Sequence, residues 1–209
     1  MNLTLPVIGG KVIKVWALPA PLSLTVGSPT LGQPNLVSVQ PGSYSQGPGF
    51  GNFPVPNYNT MTVTVRAAGG GGALYEDVTR IDQGSNGGNS SFASATPLTA
   101  IGGLGHDNTT NPPPADQGGS GGTVTVGGGG AAGQGGELQG VPQYVVPNAN
   151  YNGSAGGRVT KTWNRADVGA PVPGTIIGLT IGAGGAPGTN NAGLYAYKGG
   201  DGLGSINWS

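Results

Sequence analysis

The side chains of this chain best suited to catalysis are one histidine and eight carboxylates. His106 stands in the stretch GLGHDNTTNPPP, directly before Asp107, so composition alone would permit a Ser–His–Asp triad with one of the many serines. No G-x-S-x-G nucleophile elbow occurs, however, and the Gly, Asn and Pro neighbours are typical of a loop. We therefore interpret His106 as a solvated loop histidine.

Paired carboxylates are the second catalytic device to consider, because glycoside hydrolases use two of them. Most acids of this chain are scattered and stand beside Gly, Asn or other loop-forming residues. Glu76, Asp77 and Asp82 do cluster, but Arg80 lies among them, and the simpler interpretation is a solvated or salt-bridged loop. The full set is Glu76, Asp77, Asp82, Asp107, Asp116, Glu137, Asp167 and Asp201.

Metal and cofactor sites have little support in the sequence. GGDGLG (199–204) is like one calcium-binding glycine–aspartate repeat, but such sites need tandem copies, and no D-x-D-x-D-G loop occurs. GAGGAPG (182–188) follows a β-type stretch, yet no helix-forming segment follows that would hold a phosphate. The chain has no cysteine. We predict no catalytic residue, no metal and no cofactor, and thus a protein that is not an enzyme.

Glycine runs follow β-type stretches at three places. In MTVTVRAAGGGG (61–72), GGTVTVGGGG (121–130) and TIIGLTIGAGG (175–185), apolar residues alternate with polar or small ones before the run. Glycine can take a positive φ and lets backbones approach closely. Few stretches are free of the 45 Gly and 18 Pro, so helices are nearly excluded. We predict an all-β fold: a single β-sandwich or jelly-roll-like domain whose long Gly-rich loops form its surface.

The domain is predicted to span residues 36–209, after an extended, apolar, Pro-punctuated assembly arm at residues 1–35. Ala73–Gln83 has a weak helical period, but we favour an ordered loop there. Long loops are also expected at 106–119 and 133–156. The predicted strands of the domain are Leu36–Val39, Gly42–Ser45, Phe53–Pro56, Asn59–Ala68, Asn89–Ala93, Pro97–Gly102, Thr123–Val126, Arg158–Trp163, Thr175–Gly182 and Gly204–Trp208.

Charge and hydropathy exclude several partner classes. Eight basic residues balance eight acidic ones, and charged residues make up 8% of the chain against roughly 25% in a typical soluble domain. Such a surface offers no attraction to nucleic acid or anionic lipid. No apolar run is long enough to insert across a membrane, and the N-terminus lacks a signal-peptide pattern. A weakly charged surface favours association, so we expect a homo-oligomer.

Tyrosines in Gly- and Asn-rich stretches are the best candidates for a binding surface. Tyrosine among Gly, Ser and Asn is typical of binding loops, because it gives a large contact area at a small entropic cost. The alternative is that these tyrosines only cover the ends of a sandwich, whereas Trp163 and Trp208 are expected in the core. The candidate receptor-facing residues are Tyr144, Tyr151, Asn152, Asn190, Asn191, Tyr195 and Tyr197.

Six blocks, in this order, resemble the glycine-rich domain of bacteriophage tail-fibre and receptor-binding proteins. They are PGSYSQ (41–46), FPVPNYNTMTVTVRAAGGGG (53–72), GSNGGNSSFAS with LTAIGG (84–103), GGRVTKTW (156–163), VPGTIIGLTIGAGGAPG (172–188) and GGDGLGSINW (199–208). Each block alone is weakly specific, but their order extends over most of the predicted domain.

The resemblance implies a non-enzymatic virion protein on a phage tail appendage, most often a trimer. We expect it to attach to a bacterial surface glycan or outer-membrane protein, with residues 1–35 contacting other virion subunits. The main alternative is a purely architectural virion protein, such as a capsid decoration or tail subunit, without host contact. A polysaccharide depolymerase is the third possibility.

Overall fold

A computed structural model of the chain describes residues 39–77, 80–107, 115–139, 143–190 and 193–209. The predicted arm at 1–35 and Asn191 lie outside these residues. The described part is all-β, as the sequence predicts, and its one helical element is the 3₁₀ turn Ala149–Tyr151. In these residues no helix has the length and apolarity needed to cross a membrane.

Fourteen strands are present in the described residues. They are β1 Gly42–Gln46, β2 Gly49–Pro54, β3 Thr60–Arg66, β4 Leu74–Asp77, β5 Arg80–Asp82, β6 Ser90–Phe92, β7 Leu98–Ala100, β8 Gly119–Ser120, β9 Thr123–Thr125, β10 Gly136–Gln139, β11 Tyr144–Pro147, β12 Arg158–Asn164, β13 Ile176–Ile181 and β14 Leu203–Trp208.

Two five-stranded antiparallel sheets form a β-sandwich. Their strand orders are β1-β14-β3-β12-β9 and β2-β13-β6-β7-β8. In β3 the alternation of Met61, Val63 and Val65 with threonines places the apolar residues in the core, as a half-buried strand requires. Trp163 is buried in this core as predicted, and Trp208 is partly buried against it. The jelly-roll topology stays a prediction.

The glycine run that follows β3 is buried in a second layer of the molecule rather than exposed in a surface loop. Residues 67–73 are all buried, and six other segments surround them. We call the set the glycine lattice. Its segments are 67–73, 84–88, 102–106, 129–136, 151–157, 182–188 and 196–202. The prediction that this run forms a surface is therefore wrong, because other backbones cover it on all sides.

Hydrogen bonds in the glycine lattice repeat every three residues. Residues 67, 70 and 73 of the central segment donate to the carbonyls of Gly157, Ser154 and Tyr151. Segment 151–157 therefore runs antiparallel to the central segment. The carbonyls of the same three residues accept from Gly130, Gly133 and Gly136, which lie on a parallel segment. The other four neighbours follow the same rule. Three residues per turn without internal hydrogen bonds is the geometry of a polyproline II-type helix.

Close approach of backbones is the reason for glycine here. A β-carbon built on Gly69, Gly70, Gly71 or Gly72 would overlap a carbonyl group of a neighbouring segment. None of these four glycines has a positive φ, which among the described glycines occurs only at Gly49, Gly121, Gly127, Gly169, Gly174 and Gly193. The lattice is thus an array of paired peptide groups in which the backbone itself fills the interior.

A small third sheet of order β11-β10-β4-β5 lies where the lattice ends farthest from the sandwich. We call this end, with residues 73, 106, 136, 151 and 188, the distal end. The expected loop at Ala73–Gln83 is in fact the strand pair β4 and β5, and the expected loop at 133–156 contains the pair β10 and β11. Sequence propensity did not predict these strands, because they are short and because charged and Gly residues interrupt their apolar–polar alternation.

Candidate functional site

At the distal end the chain leaves the glycine lattice on the side opposite the sandwich. The chain departs after Ala73, His106, Gly136 and Gly188, and it re-enters the lattice at this end at Gly84, Tyr151 and Ala196. The part that leaves after His106 is next described at 115–117, beside Ala155 and closer to the sandwich. The remaining connections between lattice segments run through sandwich strands. Since parallel and antiparallel segments alternate around the central one, three separate parts of the chain begin and end at this one surface, namely 74–83, 137–150 and 189–195.

The structure places three of the predicted tyrosines with exposed side chains at this end. Tyr144 begins β11, Tyr195 pairs with Thr189 in an isolated bridge, and Tyr197 belongs to the last lattice segment. The exposed fractions are 55%, 63% and 46%, which makes them available to a ligand. The backbone of Tyr197 is fixed, because its carbonyl accepts from Gly72 and its N–H donates to Gln134.

Tyr151 has a different environment from the other three tyrosines. Its ring stacks on Tyr75 with centroids 5.0 Å apart and planes 4° apart. The His106 ring meets it at 5.8 Å and 78°. Burial raises the pKa of the Tyr151 hydroxyl, and the Tyr75 and Glu137 charges add to that effect. Tyr151 thus joins elements of the distal end, and its ring is half-buried.

His106 is buried, and its interpretation as a solvated histidine is wrong. Its side chain is only 2% exposed, and among the described residues neither ring nitrogen makes a hydrogen bond of good geometry, although the Asn150 backbone lies close to the ring. Desolvation lowers the pKa of the imidazole, and the Asn150 backbone and the Asp107 carboxylate oppose this only in part. No serine or carboxylate in the described ranges hydrogen-bonds to the ring, so these residues form no catalytic triad around it.

The predicted asparagines have structural hydrogen bonds. The Asn152 side-chain oxygen accepts from the Gly135 N–H at 2.7 Å, at the border of the lattice. The Asn190 side-chain oxygen accepts from the Leu194 N–H at 2.9 Å and closes its own loop. Such side chains supply acceptors where no further backbone segment is present. Others of this kind are Ser85, Asn86, Asn89, Ser90, Ser154 and Asp201.

Charge is separated along the molecule despite the neutral total. Five carboxylates and one guanidinium belong to the distal elements, namely Glu76, Asp77, Arg80, Asp82, Asp107 and Glu137. Four basic residues, Arg66, Arg158, Lys161 and Arg165, lie in or directly after the sandwich strands β3 and β12, where Asp167 offsets only one of them. The distal end is therefore negative and the sandwich positive, which the overall count conceals.

The carboxylates of the described residues do not form a metal-ligating group with histidine. Asp201, in the glycine–aspartate stretch, instead accepts from Lys198 and from the Gly184 N–H, both at 2.8 Å. The Lys198 hydrogen bond, with that of Gly184, lowers the pKa of Asp201. Through these two hydrogen bonds Asp201 stabilises the edge of the glycine lattice.

The described part is thus an all-β sandwich that carries a hydrogen-bonded glycine lattice and a negatively charged, tyrosine-bearing end. No protein-family model, curated protein sequence or solved structure matches the chain. The glycine lattice was not predicted from the sequence, although the sequence contains a three-residue spacing that indicates it. Ile101 with Leu104, Ala131 with Gln134 and Ala183 with Ala186 are exposed pairs three residues apart among buried glycines.

Proposed function

We propose that the chain is a receptor-binding protein of a phage virion and that its distal end attaches to the bacterial surface. The support is the convergence of three separate excursions of the chain on one end of a hydrogen-bonded lattice. Sequence change in an excursion can leave the lattice hydrogen bonds intact, so such a surface can vary while its support is kept. The likeness of six sequence blocks to phage tail-fibre proteins points the same way.

The mechanism is contact by preorganised aromatic side chains. Tyr144, Tyr195 and Tyr197 offer large faces with few rotatable bonds, and fixed backbones lower the entropy lost on binding. No bond is made or broken, so the protein acts without catalysis, metal or cofactor. A homotrimer on the virion, joined to other subunits through residues 1–35, multiplies a modest affinity per site.

The charge of the distal end narrows the receptor class. A negative end is repelled by an anionic polysaccharide, so the proposed receptor is a neutral glycan or an outer-membrane protein. Binding to a basic protein surface weakens as salt is added, whereas binding to a neutral glycan does not. Salt titration therefore separates these two receptors.

The test is binding of the purified, labelled full chain to a panel of bacterial strains. Replacement of Tyr195 by Ser is expected to lower affinity for a bound strain by about tenfold. Phe50→Ser is the matched control, because Phe50 is 68% exposed on sandwich strand β2, against 63% for Tyr195. Absence of binding by the assembled protein to every strain, or equal loss in both variants, refutes the proposal.

A purely architectural role has one observation in its favour. Phe50, Val168, Val172 and Ile176 expose apolar side chains on the sandwich, where a neighbouring virion subunit would cover them. This candidate predicts that Phe50→Ser impairs particle assembly and that variants of the exposed distal tyrosines change neither assembly nor infection. Locating the protein on the particle by labelling separates the two functions.

A further inference from the structure

His106 joins the lattice to the distal end. It closes segment 102–106, where its backbone N–H donates to Gly71 and its carbonyl accepts from Gly84, both at 3.1 Å. Two other segments therefore fix its backbone, and the position of the ring is set by the lattice. The ring is buried and contacts the ring of Tyr151, which stacks on Tyr75 of the third sheet.

The ring contacts couple three parts of the chain. His106 meets the Tyr151 ring, and Tyr151 stacks on Tyr75 of β4. Tyr151 ends the turn that follows β11, so the stack connects the β4–β5 pair, the β10–β11 pair and segment 102–106. The backbone bond from Ala73 N to Tyr151 O holds the same elements together from the lattice side.

The imidazole suits this place only when it is neutral. Both ring nitrogens are buried and make no hydrogen bond of good geometry, and the one nearby backbone acceptor is at Asn150. A protonated ring would therefore carry a buried charge and at least one N–H group with no acceptor among the described residues. The charged groups around the stack are Asp107, next in the chain, and Glu137, whose charge acts on Tyr151. Asp82 lies two residues before Gly84, and segments 67–73 and 84–88 contain no ionisable side chain.

We propose that His106 is a positioning residue whose neutral ring holds the Tyr75–Tyr151 stack on the lattice and whose protonation releases the distal strands. The sandwich and the lattice stay folded when this happens. The positioning role of His106 does not depend on the proposed function. Its consequence, that acid weakens attachment to the bacterium, rests on that function. A distal end that loosens in acid would hold the virion at neutral pH and let it go as pH falls.

The first test follows the imidazole itself. His106 is the only histidine, so its ring signals in NMR spectra of tag-free protein are unambiguous. Between about pH 8 and pH 5 the ring is expected to titrate below the ordinary pKa of about 6.5. Titration at or above that value overturns the proposal, because the charged form would then be tolerated in place.

The second test measures hydrogen exchange of the distal strands. After correction for intrinsic rates, Leu74–Asp77 and Gly136–Gln139 are expected to exchange about tenfold faster at about pH 5 than at pH 7.5. Thr60–Arg66 of the sandwich is the internal control and should not change. A uniform change, or none, overturns the proposal.

His106→Phe keeps an aromatic ring but cannot be protonated. In this variant the distal strands are expected to exchange at the same corrected rate at both pH values. If the variant does not fold, the two measurements on the natural chain decide. Attachment to a strain bound at neutral pH should fall in acid for the natural chain and not for His106→Phe. If exchange responds to pH but no strain is bound at any pH, the proposed function fails and the positioning role stands.

Discussion

The backbone N–H of His106 donates a 3.1 Å hydrogen bond to the carbonyl oxygen of Gly71. One partner is in the middle of a buried glycine run and the other carries the ring that contacts the distal aromatic stack. Because Gly71 also donates to Ser85, its peptide groups are paired on both sides and the contact is part of a continuous network. The surface at the distal end is therefore only as rigid as the glycine segments below it.

Gly71→Ala is expected to destabilise the protein severely. The added methyl group meets the Ala186 carbonyl, and backbone cannot yield without breaking lattice hydrogen bonds. We expect a loss of about 3 kcal/mol, the upper end of the usual cost of overpacking. Urea denaturation followed by tryptophan fluorescence measures it.

Gly47→Ala is the control for that substitution. Gly47 is exposed and has nothing within 4 Å of a built β-carbon. The variant should unfold at the same urea concentration as the natural chain. Equal stability of Gly71→Ala and Gly47→Ala would mean that the run is not packed as described.

Asn152→Ala tests whether this asparagine belongs to the lattice or to the receptor surface. Loss of its side-chain oxygen leaves the Gly135 N–H unpaired, which costs about 1–3 kcal/mol. Asn150→Ala, two residues away and exposed, should be neutral. A fall in the free energy of unfolding confined to Asn152→Ala confirms the structural role, and unchanged stability of both variants contradicts it.

The Asp201 carboxylate gives the protein a sensitivity to acid. Its pKa in the folded protein is lowered by Lys198 and by the Gly184 N–H, so its stabilising effect is present above the ordinary pKa of 3.8. That effect is lost as pH falls through the lower folded value. At neutral pH the Asp201→Ala variant should have a lower melting temperature than the natural chain. In strong acid the two melting temperatures should lie closer together. A difference that is constant across this range counts against the assignment.

The stack of Tyr75 on Tyr151 depends on aromatic faces and needs no Tyr75 hydroxyl. Tyr75→Phe should therefore be neutral, whereas Tyr75→Leu loses an aromatic pair worth about 0.5–1.5 kcal/mol beyond buried area. Hydrogen exchange of Gly136–Gln139 at neutral pH should rise only in the leucine variant. If hydrogen exchange of Gly136–Gln139 is the same in both variants, the aromatic stack does not stabilise this strand.

Alternation in the sequence was enough to predict the sandwich. Thr60–Arg66, Arg158–Asn164 and Ile176–Ile181 all lie within or close to predicted strands, and Trp163 is in the core where its apolar neighbours place it. Period-two burial depends on residues close in sequence, so it can be read locally. The receptor-facing role of Tyr144, Tyr195 and Tyr197 stays a prediction, now with their exposure known.

The sequence by itself thus determined an all-β chain with glycine runs at strand ends and only weak support for catalysis. Tertiary structure alone decided that the run after β3 is buried among other glycine segments, that His106 lies in a buried aromatic cluster, and that the distal end and the sandwich carry opposite charge. The physical reason is that glycine carries no side chain to reveal its partners. Its contacts are peptide hydrogen bonds between residues far apart in the chain, and these exist only once the segments are side by side.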